Sequence, residues 1–116
     1  MWLKDDQDWR DVYGAASAIA EWAKTQEFDA LWFGKQAIDD DLHACGQMVA
    51  TLLDLPCVAA ITTFEKGDGE ATVTRDIEGG TEKITVPLPA VFTTDKGLNE
   101  PRYANLKGIM AAKKKP

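Results

Sequence analysis

The chain has 116 residues, with 13 Lys plus Arg against 19 Asp plus Glu for a formal charge of −6, and it is 45% apolar and 28% charged. That size and balance fit one globular domain and exclude a disordered or fibrous chain. Burying about two-thirds of the unfolded surface is enough for a chain of this length without disulfides. The negative charge argues against nucleic acid as a partner, because phosphate binding needs a basic face. No apolar run approaches the roughly 18 to 20 residues that cross a bilayer, which argues against membrane insertion.

The start, Met1-Trp2-Leu3-Lys4-Asp5-Asp6, lacks a basic end followed by an apolar signal core. The two cysteines, Cys45 and Cys57, are too few for a disulfide framework and read as free buried thiols in a reducing compartment. Together these features point to a cytoplasmic protein, or a mitochondrial matrix protein if the source is eukaryotic.

Residues 11–25 carry Val12, Ala15, Ala16, Ile19 and Ala23 at helical spacing, and Asp11 is placed to cap the start. Next, residues 28–33 contain Ala30-Leu31-Trp32-Phe33 and stop at Gly34, which suits a short strand covered on both faces as in parallel sheets. A second helix is predicted over 41–54, where Leu42, Cys45, Val49, Leu52 and Leu53 share a face and Pro56 ends the pattern. Residues 57–63 form another short buried strand. Strand, helix and strand in this order make the right-handed crossover of an α/β sheet, which places the Gly34 loop beyond the strand ends, where ligands bind.

After Phe64 the period becomes two. Ala71, Val73, Arg75 and Ile77 alternate with neighbours of other character, Glu78-Gly79-Gly80-Thr81 makes a turn, and Ile84, Val86 and Leu88 alternate again. This is the pattern of an antiparallel β-hairpin. Pro87 and Pro89 mark an edge or a change of direction before Ala90-Val91-Phe92.

Three aspartates, Asp39, Asp40 and Asp41, stand where the second helix begins. Negative charge there suits the helix dipole yet repels phosphate. Capping by Asp40 or Asp41, with Asp39 closing the turn, accounts for one of them better than for three. His43 is the only histidine, and with the aspartates it is too tightly spaced to form a metal site, so no metal is expected. Cys45 or Ser17 as a nucleophile would need a base that the chain does not advertise. No catalytic side chains are expected and the chain does not read as an enzyme.

Two blocks carry a family resemblance. The first is Leu88-Pro89-Ala90-Val91-Phe92-Thr93-Thr94-Asp95, followed by Leu98-Asn99-Glu100-Pro101-Arg102-Tyr103, Leu106, Ile109-Met110 and the run Lys113-Lys114-Lys115. The second is Gly34-Lys35-Gln36-Ala37-Ile38-Asp39-Asp40-Asp41 with Gly46-Gln47-Met48. In order and spacing they resemble the β subunit of electron transfer flavoprotein, and the match corresponds to the C-terminal part of such a subunit. Met1-Trp2-Leu3-Lys4-Asp5-Asp6 resembles the family segment just before a mid-chain helix, so the N-terminal strands are expected to be missing from this chain.

The resemblance implies a partial Rossmann-like adenine-nucleotide-binding domain, three-layer α/β, over 1–95 with an appended antiparallel β-hairpin, followed by a recognition loop and basic tail over 96–116. It implies a cofactor loop formed by Gly34, Lys35, Gln36, Ala37, Ile38, Asp39, Asp40, Asp41, Leu42, His43, Ala44 and Cys45. That loop would wrap AMP, or a second FAD in bifurcating members, with phosphate met by backbone N–H groups over 41–45. It also implies a docking loop using Leu98, Glu100, Arg102, Tyr103, Leu106, Ile109 and Met110, with Leu106 as the anchor and acyl-CoA or related dehydrogenases as partners. The redox FAD would be shared with an α subunit. Many relatives have Asn-Gln-Thr at His43-Ala44-Cys45, proline at Lys107 and lysine at Ala111, so side-chain donors to the nucleotide and one basic residue are lost here. A freestanding adenine-nucleotide sensor is the alternative; it has no use for an apolar anchor on the last loop.

Overall fold

The computed structural model describes residue 4 and residues 11–115. The opening Met1-Trp2-Leu3-Lys4-Asp5-Asp6 segment, Lys4 apart, lies outside the described residues. The chain runs α1 (Val12–Ala23), β1 (Ala30–Gly34), α2 (Cys45–Leu53), β2 (Cys57–Lys66), β3 (Glu70–Ile77), β4 (Gly80–Pro87), β5 (Ala90–Thr94) and α3 (Leu106–Ala112). It is an α/β protein with a mixed sheet of five strands in the order β1-β5-β2-β3-β4.

The first helix follows the pattern that predicts it. Asp11 has extended backbone angles and its carboxylate accepts the Gly14 N–H at 2.7 Å, satisfying one of the donors a helix start leaves free. Ala16, Ala20 and Ala23 form its buried stripe, and their small side chains let α2 approach closely.

β5 is inserted between β1 and β2 and pairs parallel with both. Its residues Ala90, Val91, Phe92 and Thr93 are all buried, as a central strand requires. The prolines stand where the chain leaves edge strand β4 for this central position, and the Leu88–Pro89 peptide bond is cis.

β2 runs to Lys66, past the predicted end at 63, because its two halves have different partners. Ala60 has a φ of 57°, and the register shifts there as β2 passes from parallel pairing with β5 to antiparallel pairing with β3. Its N–H, taken out of the ladder by this bulge, is accepted by Thr93 Oγ1 at 2.8 Å. Such a bulge bends the strand while leaving its ends paired. β3 and β4 then pair antiparallel from Glu70 opposite Pro87 to Ile77 opposite Gly80.

The core has two parts. On one sheet face Ala16, Ala20 and Val49 from the helices meet Leu31 and Phe33. On the other, Val58, Ile61, Ala71, Val73, Val86, Ala90 and Phe92 pack together. Both packed helices belong to the first cluster, so no described helix supplies a third layer. The strand predicted to be covered on both faces is therefore covered on one. β1 is a sheet edge, and Trp32 is 46% exposed. Its ring lies 4.8 Å from Phe64 and 5.3 Å from Phe92, centre to centre. Cys45 and Cys57 are free and half-buried rather than fully buried. Among the described residues no helix is long and apolar enough to cross a membrane.

Candidate functional site

The loop between β1 and α2 encloses a cleft of about 300 Å³, at the lower end of the range for small-molecule sites. It lies beyond the carboxyl end of β1. Gly34, Lys35, Gln36, Ala37, Asp40, Leu42, His43, Ala44 and Cys45 line it, joined by Val12 from α1. Nine of the twelve residues expected to form a cofactor loop are thus brought together; Ile38, Asp39 and Asp41 are not in the wall. Ile38 is fully exposed.

The helix begins later than its apolar pattern predicts. Asp41 and His43 have φ values of 55° and 52°, outside helical backbone, so α2 starts at Cys45 and Leu42 is an exposed loop residue. The aspartates do not cap it. The Asp39 carboxylate accepts the Asp40 N–H at 3.0 Å, the Asp40 carboxylate accepts the Leu42 N–H at 3.2 Å, and Asp41 accepts from the Gln36 side-chain amide. The loop folds its acidic side chains onto its own donors, which places three carboxylates close together at modest cost.

Ala44 holds the N-cap position of α2, and no side chain caps the helix. The first N–H groups of a helix have no partner within it, so Cys45, Gly46 and Gln47 present uncapped donors where the partial positive charge of the helix lies. Of the N–H groups expected over 41–45 to meet a phosphate, those of Asp41 and Leu42 are taken by the Ala37 carbonyl and the Asp40 carboxylate. Gly46 makes the arrangement possible. A Cβ on it would lie 2.6 Å from Thr93 Cγ2 and 3.3 Å from Phe33 Cβ, so only glycine lets α2 sit this close to β5 and β1.

Lys35 supplies the basic side chain of the cleft wall. Its Nζ donates to Asp95 Oδ2 at 2.8 Å, and its backbone N–H donates to the Thr94 carbonyl at 2.9 Å. The hydrogen bond from Lys35, then that from the Lys96 N–H, hold the Asp95 carboxyl below the usual carboxylate range. Burial, and after it the Asp40 carboxylate, push the Cys45 thiol up, which keeps it protonated and poorly nucleophilic near neutrality. Among the described residues no three His, Cys, Asp or Glu side chains are grouped to hold a metal ion. The arrangement suits binding of an anion.

At the other end of the chain, Leu98, named above for the docking loop, is half-buried against the Val58–Phe92 cluster rather than open to a partner. Glu100 and Arg102 are exposed and do not pair with each other. Every residue of α3 is exposed. Tyr103 is 99% exposed and Leu106 76% exposed, with Ile109 and Met110 also open to solvent. Asn105 caps α3, its Oδ1 accepting the Gly108 N–H at 2.7 Å. Spacing alone revealed neither Val12 in the cleft wall nor Asp95 as the partner of Lys35, since those contacts join distant parts of the chain.

The structure thus combines an α/β domain that has a cleft at the β1 carboxyl end with a separate solvent-facing apolar segment at α3. A family profile described as the electron transfer flavoprotein domain matches residues 3–116, and the chain belongs to that family. It is similar to the electron transfer flavoprotein subunit β of Bacillus subtilis, 44% identical over 114 residues that cover 98% of this chain and 44% of the relative. The mouse subunit β is 51% identical over 102 residues, covering 86% of this chain and 39% of the relative. The mitochondrial subunit β of Arabidopsis thaliana is 47% identical over 103 residues, covering 87% and 41% respectively. The chain therefore spans less than half the length of these relatives.

Proposed function

We propose that this chain is the nucleotide-binding and docking portion of an electron transfer flavoprotein β subunit, acting as an electron carrier in a heterodimer with an α subunit. The observation that carries this proposal is the uncapped first turn of α2, which begins at Cys45 in the wall of the cleft that Lys35 also lines. Those donors suit the phosphate of AMP or of the adenylate half of a second FAD. Gly34 fits the same ligand, since a Cβ there would meet nothing within 4 Å and the strand end leaves room for it.

The arrangement supported here is Rossmann-like over 1–95, with β3 and β4 as its appended hairpin and 96–116 as a docking segment. The redox FAD, shared with the α subunit, supplies the electron chemistry when bound. This chain's residues bind the adenylate, position α2 and present Leu106, Ile109 and Met110 to acyl-CoA or related dehydrogenases. A few apolar anchors of this kind provide most of the binding energy in a transient complex. The family relation supports an electron-transfer role rather than catalysis by protein side chains, in a bacterial cytoplasm or a mitochondrial matrix. A freestanding adenine-nucleotide sensor would use the same cleft, but it gives no role to the exposed apolar side chains of α3.

Co-purification with a matching α subunit tests the proposal, with the flavin spectrum and released AMP read from one sample. A yellow complex containing stoichiometric AMP or extra FAD is expected. Leu106→Ala should leave that complex intact and slow electron transfer from the dehydrogenase at least tenfold. AMP binding by the chain without association with the α subunit would favour the sensor, and no binding of either would overturn both.

A further inference from the structure

We infer that the Lys35–Asp95 ion pair is a latch through which an adenylate in the cleft loosens the root of the 96–110 loop. The inference rests on the nucleotide binding proposed above and goes beyond it by coupling two loops that leave the ends of paired strands β1 and β5. Lys35 belongs to both structures: it lines the cleft, and its ammonium lies 2.8 Å from Asp95 Oδ2. Asp95 directly follows β5, and its other carboxylate oxygen accepts the Lys96 N–H at 2.8 Å. One carboxylate therefore fastens the first residue of the loop to the wall of the cleft.

Beyond that point the loop has one further hold on the sheet, Leu98 against the Val58–Phe92 cluster. From Asn99 through Lys115 every residue is exposed. The Asp95 N–H also donates to the Ile61 carbonyl at 3.2 Å, so loosening of the Asp95 side-chain contact changes one of three fixings at the root.

The charge balance of the cleft supplies the lever. Asp40 also lines it, and Lys35 is the basic side chain among the described lining residues. A phosphate at the first turn of α2 draws on that ammonium, and a single positive charge divided between two anions holds each less firmly. By linkage, whatever releases Lys35 from Asp95 must strengthen phosphate binding by the same factor. The side chains are 34% and 37% exposed, so solvent screens the pair and the coupling is modest, about two- to fivefold.

The test uses the full chain, with AMP affinity from calorimetry and amide exchange at residues 96–98 from mass spectrometry. In the wild type, saturating AMP should speed exchange there about two- to fivefold. Asp95→Asn should exchange without AMP at the rate of the loaded wild type, and bind AMP about two- to fivefold more tightly. Lys35→Met should bind AMP more weakly and lose the exchange response, while Lys35→Arg should retain it. Asp39→Asn removes the same charge from the neighbouring loop, outside the cleft wall, and should leave exchange at 96–98 unchanged. Circular dichroism confirms that each variant is folded. AMP binding with unchanged exchange, or equal AMP affinity in Asp95→Asn and wild type, would overturn the latch and leave the nucleotide site standing. No AMP binding by the wild type would overturn both, and calorimetry separates the two failures.

Discussion

Replacing Gly46 with alanine asks whether close approach to β5 fixes the first turn of α2. The added Cβ would meet Thr93 Cγ2 at 2.6 Å and Phe33 Cβ and Cγ at 3.3 Å. Thr93 is 1% exposed, and its hydroxyl oxygen accepts the Ala60 N–H at 2.8 Å. Rotating its methyl away would take the hydroxyl from a backbone donor already displaced by the β2 bulge. The helix must lift instead, and overpacking of this kind costs about 1–3 kcal/mol. Alanine returns at most ~1 kcal/mol of helix propensity in a helix interior, and less at the second position. A net loss of about 1–2 kcal/mol follows from these opposing terms. In urea it should lower the unfolding midpoint without changing the slope.

Thr93→Ser is the companion variant, because it deletes Cγ2 and keeps the hydroxyl. Alone it should cost about 1 kcal/mol for one buried methyl. In the Gly46→Ala background it should cost nothing or restore stability, a coupling on the order of 1 kcal/mol. Gly46→Ala should also weaken AMP binding, because the N–H groups of Cys45 to Gln47 move with the helix. A midpoint at or above wild type for Gly46→Ala, or additive losses in the double variant, would refute the proposed packing constraint.

Two further predictions concern titration. The Cys45 thiol is raised by burial and then by Asp40, so iodoacetamide should modify it more slowly at pH 8 than the same cysteine in the unfolded chain, and Asp40→Asn should speed the reaction. A rate unaffected by Asp40→Asn would remove the electrostatic part of that cause. The Asp95 carboxyl is depressed chiefly by its hydrogen bond from Lys35; a carboxylate whose folded pKa lies below its unfolded value contributes stability that is present above the unfolded value and lost as pH falls through the folded one. Lys35→Met should therefore move the Asp95 carbon resonance midpoint up toward the ordinary carboxylate value of about 3.9, and flatten the acid limb of the stability curve; an unmoved midpoint would show that Lys35 is not the cause.

Much of this structure is legible locally. The spacing of Val12, Ala16, Ile19 and Ala23 with Asp11 before them is enough to place α1, because a cap and an apolar stripe act within a few residues. The alternation through Val73 and Val86 likewise anticipates the β3–β4 pairing. The start of α2 falls later than the apolar period of Leu42 implies, because the loop's carboxylates bind its own N–H groups and Asp41 and His43 lie out of helical backbone.

By itself the sequence determined the order of elements from α1 to β4, though not the helix α3 within the expected loop, the first helix with its cap, and the two blocks of residues that carry the family resemblance. Those features depend on neighbours in the chain and on side-chain period. Only the tertiary structure decided that β5 lies between β1 and β2, that Leu98 packs inward, and that Lys35 meets Asp95 across 60 positions of sequence. Strand order and such contacts are set by which distant surfaces bury one another, and no local pattern of residues encodes that choice.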